Sequence, residues 1–201
     1  HPEEAAAMTD ADLAEIRTMA VHPKAVAVGE IGLDYHYEDA CPRDVQLRWF
    51  RRQLELAREL SLPVILHDRE AHGDMLDTLT AFFPAGPGKM DRAGVLHCFS
   101  GSVEMADEMV RRGFFIGLGG AVTFKNARRA VEVAASIPLD ALLLETDAPY
   151  MAPVPYRGKR CDSGMITATA ARIAEIRGMS AGTLLGRTHE NACRLFGISV
   201  A

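Results

Sequence analysis

Five short runs are apolar throughout rather than at every second position, they alternate with stretches of helical periodicity, and four of them end in a residue able to bind a metal. Continuous apolar runs are what strands buried on both faces require, so the first two observations predict an α/β protein with a parallel sheet. The third predicts a closed (β/α)8 TIM-type barrel, which gathers functional side chains at the C-terminal ends of its strands. At 201 residues the chain is short of the about 250 that eight such units usually take. The first helix has no strand before it, so the expected fold is one barrel domain over 1–201 that lacks strands on its N-terminal side.

That first helix is expected at Asp10–Ala20 and the first strand at Ala25–Glu30. Asp44–Leu60 reads as the strongest helix: Leu47, Phe50, Leu54 and Ala57 form an apolar stripe, while Arg48, Arg51, Arg52 and Glu55 face water, so it covers a sheet. Strands at Pro63–His67 and Gly94–His97 follow, then a helix at Val103–Arg112 closed by Gly113. A strand at Phe114–Gly119, a helix at Ala127–Ala135 and a last strand at Ala141–Asp147 come next. Helices at Ile166–Arg177 and Thr188–Phe196, the latter closed by Gly197, end the pattern.

Composition narrows the function classes. The 22 basic and 27 acidic residues leave a formal charge of −5, so there is no basic coat for nucleic acid and any phosphate must be met by local positive groups or bound cations. Cys41, Cys98, Cys161 and Cys193 are scattered without a CxxC pair, against a zinc ribbon or disulfide framework and in keeping with a cytoplasmic location. No apolar stretch is long enough to span a bilayer, and no membrane partner is expected.

The chemistry lies in VGEIGLD around Glu30, VILHDR around His67, VLHCFSG around His97 and LLLETDAPY around Asp147. Two imidazoles and two carboxylates at corresponding strand ends match the mixed nitrogen and oxygen ligand set of divalent cations, and the four are expected to converge on one rim. Asp147 is the candidate general base, with one oxygen for a cation and the other for a proton of the attacking water. Residues two apart on a strand share a face, so Val28, Ile65, Val95 and Glu145 lie one layer beneath. A buried carboxylate needs a partner, and Glu145 is read as holding a metal-bound imidazole, with a structural ion pair as the alternative. Around the rim, Arg69, Arg157, Lys159 and Arg160 could reach a phosphate. Tyr35, His36 and Tyr37 could stack on a base, and Ser100 with Gly101 offers a hydroxyl and a tight turn beside His97. Cys98 is expected to alternate to the outer face as packing.

GEIGLD, HDREAH, HCFSG, FFIGLGG, ETDAPY, PYRGKR and THENACRLFGI, in this order from His1 to Ile198, resemble the TatD family of metal-dependent deoxyribonucleases in the amidohydrolase superfamily of barrels. The resemblance implies a hydrolase with two divalent cations (Mg²⁺, Mn²⁺ or Zn²⁺), in which Glu30 bridges both and takes part in catalysis. His67 and His97 would bind one cation, and Asp147 would bind the other and assist the water. Two departures stand out. The family's first strand carries a His-x-His pair that is absent here, and His1 resembles the His of a later GxHP segment, so the first two strands and most of the third are expected to be missing. Arg160-Cys161-Asp162-Ser163 also stands where the family usually has Arg-Asn-Glu-Pro.

The resemblance implies hydrolysis of DNA phosphodiester bonds by a metal-activated water, as a 3′-5′ exonuclease, and a monomeric full-length protein with an inactive shorter chain is expected. Two alternatives stay open: a barrel hydrolase of amides, lactones or phosphotriesters, and a fragment that serves only as a binding module. Hydrolases of the first kind commonly carry a carboxylated lysine between their metals, and none of the four strand ends has a lysine.

Overall fold

A computed structural model of the chain describes residues 1–86 and 90–199; residues 87–89, 200 and 201 of the expected single domain lie outside them. Helices and strands alternate: α1 Asp10–Ala20, β1 Val28–Asp34, α2 Arg43–Glu59, β2 Val64–Arg69, α3 His72–Phe82, β3 Gly94–Leu96, α4 Val103–Arg111, β4 Phe114–Leu118, α5 Arg128–Ser136, β5 Leu142–Leu144, α6 Ile166–Arg177 and α7 Ala181–Phe196. The strand pairs β1–β2, β2–β3 and β4–β5 are all parallel. This is an α/β fold with a parallel sheet. The chain divides into two compact units, the first made of His1–Leu96, Arg111–Phe114 and Leu195–Gly197, the second of His97–Val110 and Phe115–Arg194 with the described residues beyond Gly197.

In the first unit, α2 packs on β1 and α3 on β2. The buried face of α2 holds Trp49, Phe50, Leu54, Leu56 and Ala57, but also Gln46 and Gln53, while Leu47 is only half-buried. Each large apolar side chain buried there contributes roughly 1.5–3 kcal/mol. The stripe expected from apolar residues alone is therefore rotated, because Gln46 points inward for its hydrogen bonds. Its Oε1 accepts from the Asp34 N–H at 2.9 Å, and its Nε2 donates to the carbonyls of Asp34 and Cys41, both at 2.8 Å. This amide pins the end of β1.

In the second unit, α5 and α6 pack together, and α6 also lies on the short 3₁₀ turn Gly120–Thr123. Buried Asn191 of α7 donates to the carbonyls of Leu139 and Leu142, both at 2.8 Å, and so fixes the start of β5. All four cysteines are free, and no helix among the described residues is long and apolar enough to cross a membrane.

Several expectations need correction. β1 runs to Asp34 rather than stopping at Glu30, because Ile31 to Asp34 continue the ladder opposite Leu66 to Arg69, so Glu30 sits inside a strand. α3 forms where no helix is expected, and α7 starts seven residues earlier than Thr188, with Ser180 Oγ accepting from the Thr183 N–H at 3.0 Å. Gly182 and Gly186, poor helix formers, mask that start. The expected absence of strands finds no support, since each of the five runs forms a strand.

Candidate metal-binding sites

The register of β1 against β2 builds the first group. Gly32 pairs with His67, and Glu30 and Asp34 lie two residues to either side of Gly32 on the same face. The imidazole is therefore met from both sides: Nδ1 lies 3.0 Å from Glu30 Oε1 and Nε2 lies 2.8 Å from Asp34 Oδ2. Only glycine fits between them, because Gly32 has φ +147° and a Cβ there would stand 2.0 Å from the His67 carbonyl oxygen. Asp34 is buried and also accepts from the His36 N–H at 2.9 Å. The His1 ring meets the His67 ring edge-on with centroids 4.4 Å apart, and His1, Glu30 and His67 can each bring one ligand atom within 4.8 Å of the others.

The second group is made by the segment after β5. Glu145 and Asp147, two residues apart, both reach His97: Nδ1 lies 2.8 Å from Glu145 Oε2, and Nε2 lies 3.4 Å from Asp147 Oδ1. The Cys98 N–H donates to Glu145 Oε1 at 2.5 Å. Gly117 of β4 makes room for this carboxylate, since a Cβ there would lie 2.5 Å from Glu145 Oε2. Cys98 does not follow the alternation expected of it. Its φ is +44°, outside the strand region, and its Sγ joins His97 and Glu145 within 4.8 Å. Burial pushes its thiol up to about 11, so it is protonated at neutral pH.

An imidazole with a carboxylate at each nitrogen satisfies both only as the two-donor imidazolium. Burial opposes that charge at His67, yet the hydrogen bonds it donates to Glu30 and Asp34 outweigh it and raise the pKa. At His97 burial is again outweighed, by Asp147, Cys98 and Glu145, and the pKa rises far above the ordinary value. Each group thus has more negative charge than its neutral imidazole balances, and a cation in place of the proton suits this donor set.

The rim residues behave differently from one another. Tyr35 is committed, its hydroxyl donating to Asp74 at 2.7 Å and its ring lying under the Arg43 guanidinium at 4.3 Å. Arg69 covers Tyr37 at 5.1 Å and donates to its hydroxyl at 3.2 Å. Arg157 lies 3.9 Å over Phe124 and donates to the Ala152 carbonyl at 3.2 Å. Ser100 and Arg160 are exposed. Asp34 is a site residue that apolar runs ending in a ligand type do not single out. Its signal was the spacing Glu30, Gly32, Asp34, which places three consecutive same-face positions opposite one histidine.

Comparison with known proteins agrees with this chemistry. Residues 1–197 match the model of the family described as TatD related DNase. The chain is 44% identical to the protein named uncharacterized metal-dependent hydrolase YabD of Bacillus subtilis, over 99% of this chain and 76% of that protein. It is 38% identical to the 3′-5′ ssDNA/RNA exonuclease TatD of Cronobacter sakazakii, over 98% and 74%. The crystal structure of YJJV, a TatD homolog from Escherichia coli, superposes with a TM-score of 0.89 at 33% identity, over 99% of this chain and 75% of that one. With one bracketed histidine in β2, another directly after β3, and a family match along nearly its whole length, the chain belongs to the TatD related DNase family.

Proposed function

We propose that the chain is a divalent-metal-dependent hydrolase of DNA phosphodiester bonds, acting as a 3′-5′ exonuclease, in a single barrel-type domain located in the cytoplasm. The observation that carries this reading is the pair of carboxylates bracketing each histidine, which provides anionic oxygen and imidazole nitrogen for hard and borderline cations. Glu30 and His67 are the ligands in the first unit, and His97 and Asp147 those in the second. A bound divalent cation supplies Lewis acidity toward a phosphoryl oxygen and acidity to a water. Asp147, whose side chain is 37% exposed, accepts the proton of the attacking water, while Glu145 fixes the tautomer and orientation of His97. Two cations of the Mg²⁺, Mn²⁺ or Zn²⁺ type and a monomer complete the proposal. Inactivity of the 201-residue chain is not part of it, since each unit presents its own ligand group.

The test uses this chain with 5′-labelled single-stranded DNA, single-stranded RNA and duplex DNA in Mg²⁺, Mn²⁺ or Zn²⁺. The expected result is stepwise shortening of the DNA from its 3′ end, abolished by EDTA and restored by excess cation. Turnover of amide or lactone substrates with every nucleic acid left intact would overturn it.

A further inference from the structure

A cavity of about 650 Å³ opens in the second unit beside the segment carrying His97. Cys98, Phe99 and Ser100, which directly follow that histidine, form one wall, and Phe124, Asn126 and the first turn of α5 contribute to the rest. Two arginines in that turn differ in state. Arg128 is neutralised by Glu132 one turn on, at 2.9 Å, whereas the Arg129 guanidinium has no ion pair among the described residues. Glu132 is the single carboxylate in the lining, so Arg129 sets the net charge of the cavity. The helix start adds to this: α5 has no acidic residue in its first turn and no side-chain cap, which leaves backbone N–H groups to a ligand. The Phe124 ring is held in the wall by the Arg157 guanidinium on one side.

We infer that this cavity seats one nucleotide of a single-stranded nucleic acid next to the bond being cut, with its phosphate at Asn126 and Arg129 and its base against Phe124. The inference rests on the nuclease reading above and deepens it. The volume falls within the roughly 300–1,000 Å³ of small-ligand sites. A free phosphate would not use the apolar wall of Phe99, Phe124 and Met151, whereas an unpaired base has a face that stacks on an aromatic ring. The place beside His97 puts the bound nucleotide on the path of the chain undergoing hydrolysis.

The experiment compares wild type with Arg129→Gln, Arg129→Lys and Phe124→Leu, and with Arg187→Gln on the exposed part of α7, outside the cavity. Two quantities are read: KM for metal-dependent cleavage of a single-stranded oligonucleotide, and equilibrium binding of the labelled oligonucleotide by fluorescence anisotropy across a salt series. Arg129→Gln should raise KM and Kd about tenfold, as loss of one charge-assisted contact does, and reduce the salt slope by about 0.7 for one lost phosphate. Arg129→Lys should recover most of the affinity, Phe124→Leu should weaken binding without changing the slope, and Arg187→Gln should match wild type. Wild-type KM, Kd and slope in Arg129→Gln, or an equal change in Arg187→Gln, would overturn the inference while cleavage by wild type leaves the nuclease reading standing. Binding through Arg129 without cleavage would sink the nuclease reading alone, and neither binding nor cleavage would sink both.

Discussion

His67 in the first unit and His97 in the second are each flanked by two carboxylates, but the carboxylates reach them by different routes. Around His67 they come from a neighbouring strand, Glu30 and Asp34, held by the β1–β2 ladder and locked by Gln46 at the strand end. Around His97 they come from one short stretch past the end of β5, Glu145 and Asp147, whose strand is anchored at its start by Asn191. In the first arrangement Asp34 is 3% and Glu30 31% exposed, while in the second Glu145 is 16% and Asp147 37% exposed. A ladder-held carboxylate is suited to fixing geometry. A carboxylate beyond a strand end can meet solvent and substrate, which is where proton transfer has to occur.

The sharpest break in this comparison comes from one acid of each group, Asp147 and Asp34. Asp147→Asn should lower the turnover rate about 10²- to 10⁴-fold with little change in melting temperature, because the amide still offers an oxygen but takes no proton. Asp34→Asn should do the reverse in kind, with a clear loss of thermal stability, since the buried site loses its charge partner for His67. Steady-state kinetics beside thermal melts decide it, and equal stability losses would erase the distinction between the two units.

Glu145→Gln is next in size, with an expected 10- to 100-fold loss of metal affinity, measured by calorimetric titration of metal-stripped protein, because the orienting partner of His97 is gone. A smaller effect follows from pH. Both imidazoles have raised pKa values without metal, so cation uptake displaces protons and affinity should climb with pH by up to about tenfold per unit for each proton released. In the metal-free chain the sign for stability is opposite: the contribution is present below the ordinary imidazole value of about 6.5 and lost as pH rises through the folded values. Titrations and urea melts between pH 6 and 9 should therefore trend in opposite directions.

The smallest expected effect is on the rim of the first unit. Tyr35→Phe should cost about 1 kcal/mol in urea unfolding, because it deletes the bond to Asp74. It should leave KM for single-stranded DNA unchanged, since the ring is already held under Arg43. A raised KM would return Tyr35 to the substrate-contacting role read from the sequence.

Local pattern alone determined much of this protein. α1 and α6 have the expected bounds, each of the five strands overlaps an expected run, and the four candidate metal-binding segments stand out because a continuous apolar run ending in His, Glu or Asp is visible within ten residues. Tertiary structure decided what each side chain does. Asp34 joined the site through strand register, and Cys98 turned toward His97 through a positive φ. Arg157 was drawn onto Phe124, and Gln46 turned inward to cap a strand. These outcomes depend on which backbone groups and rings lie across from a residue, and such neighbours are set by pairing between segments that periodicity within one segment does not encode.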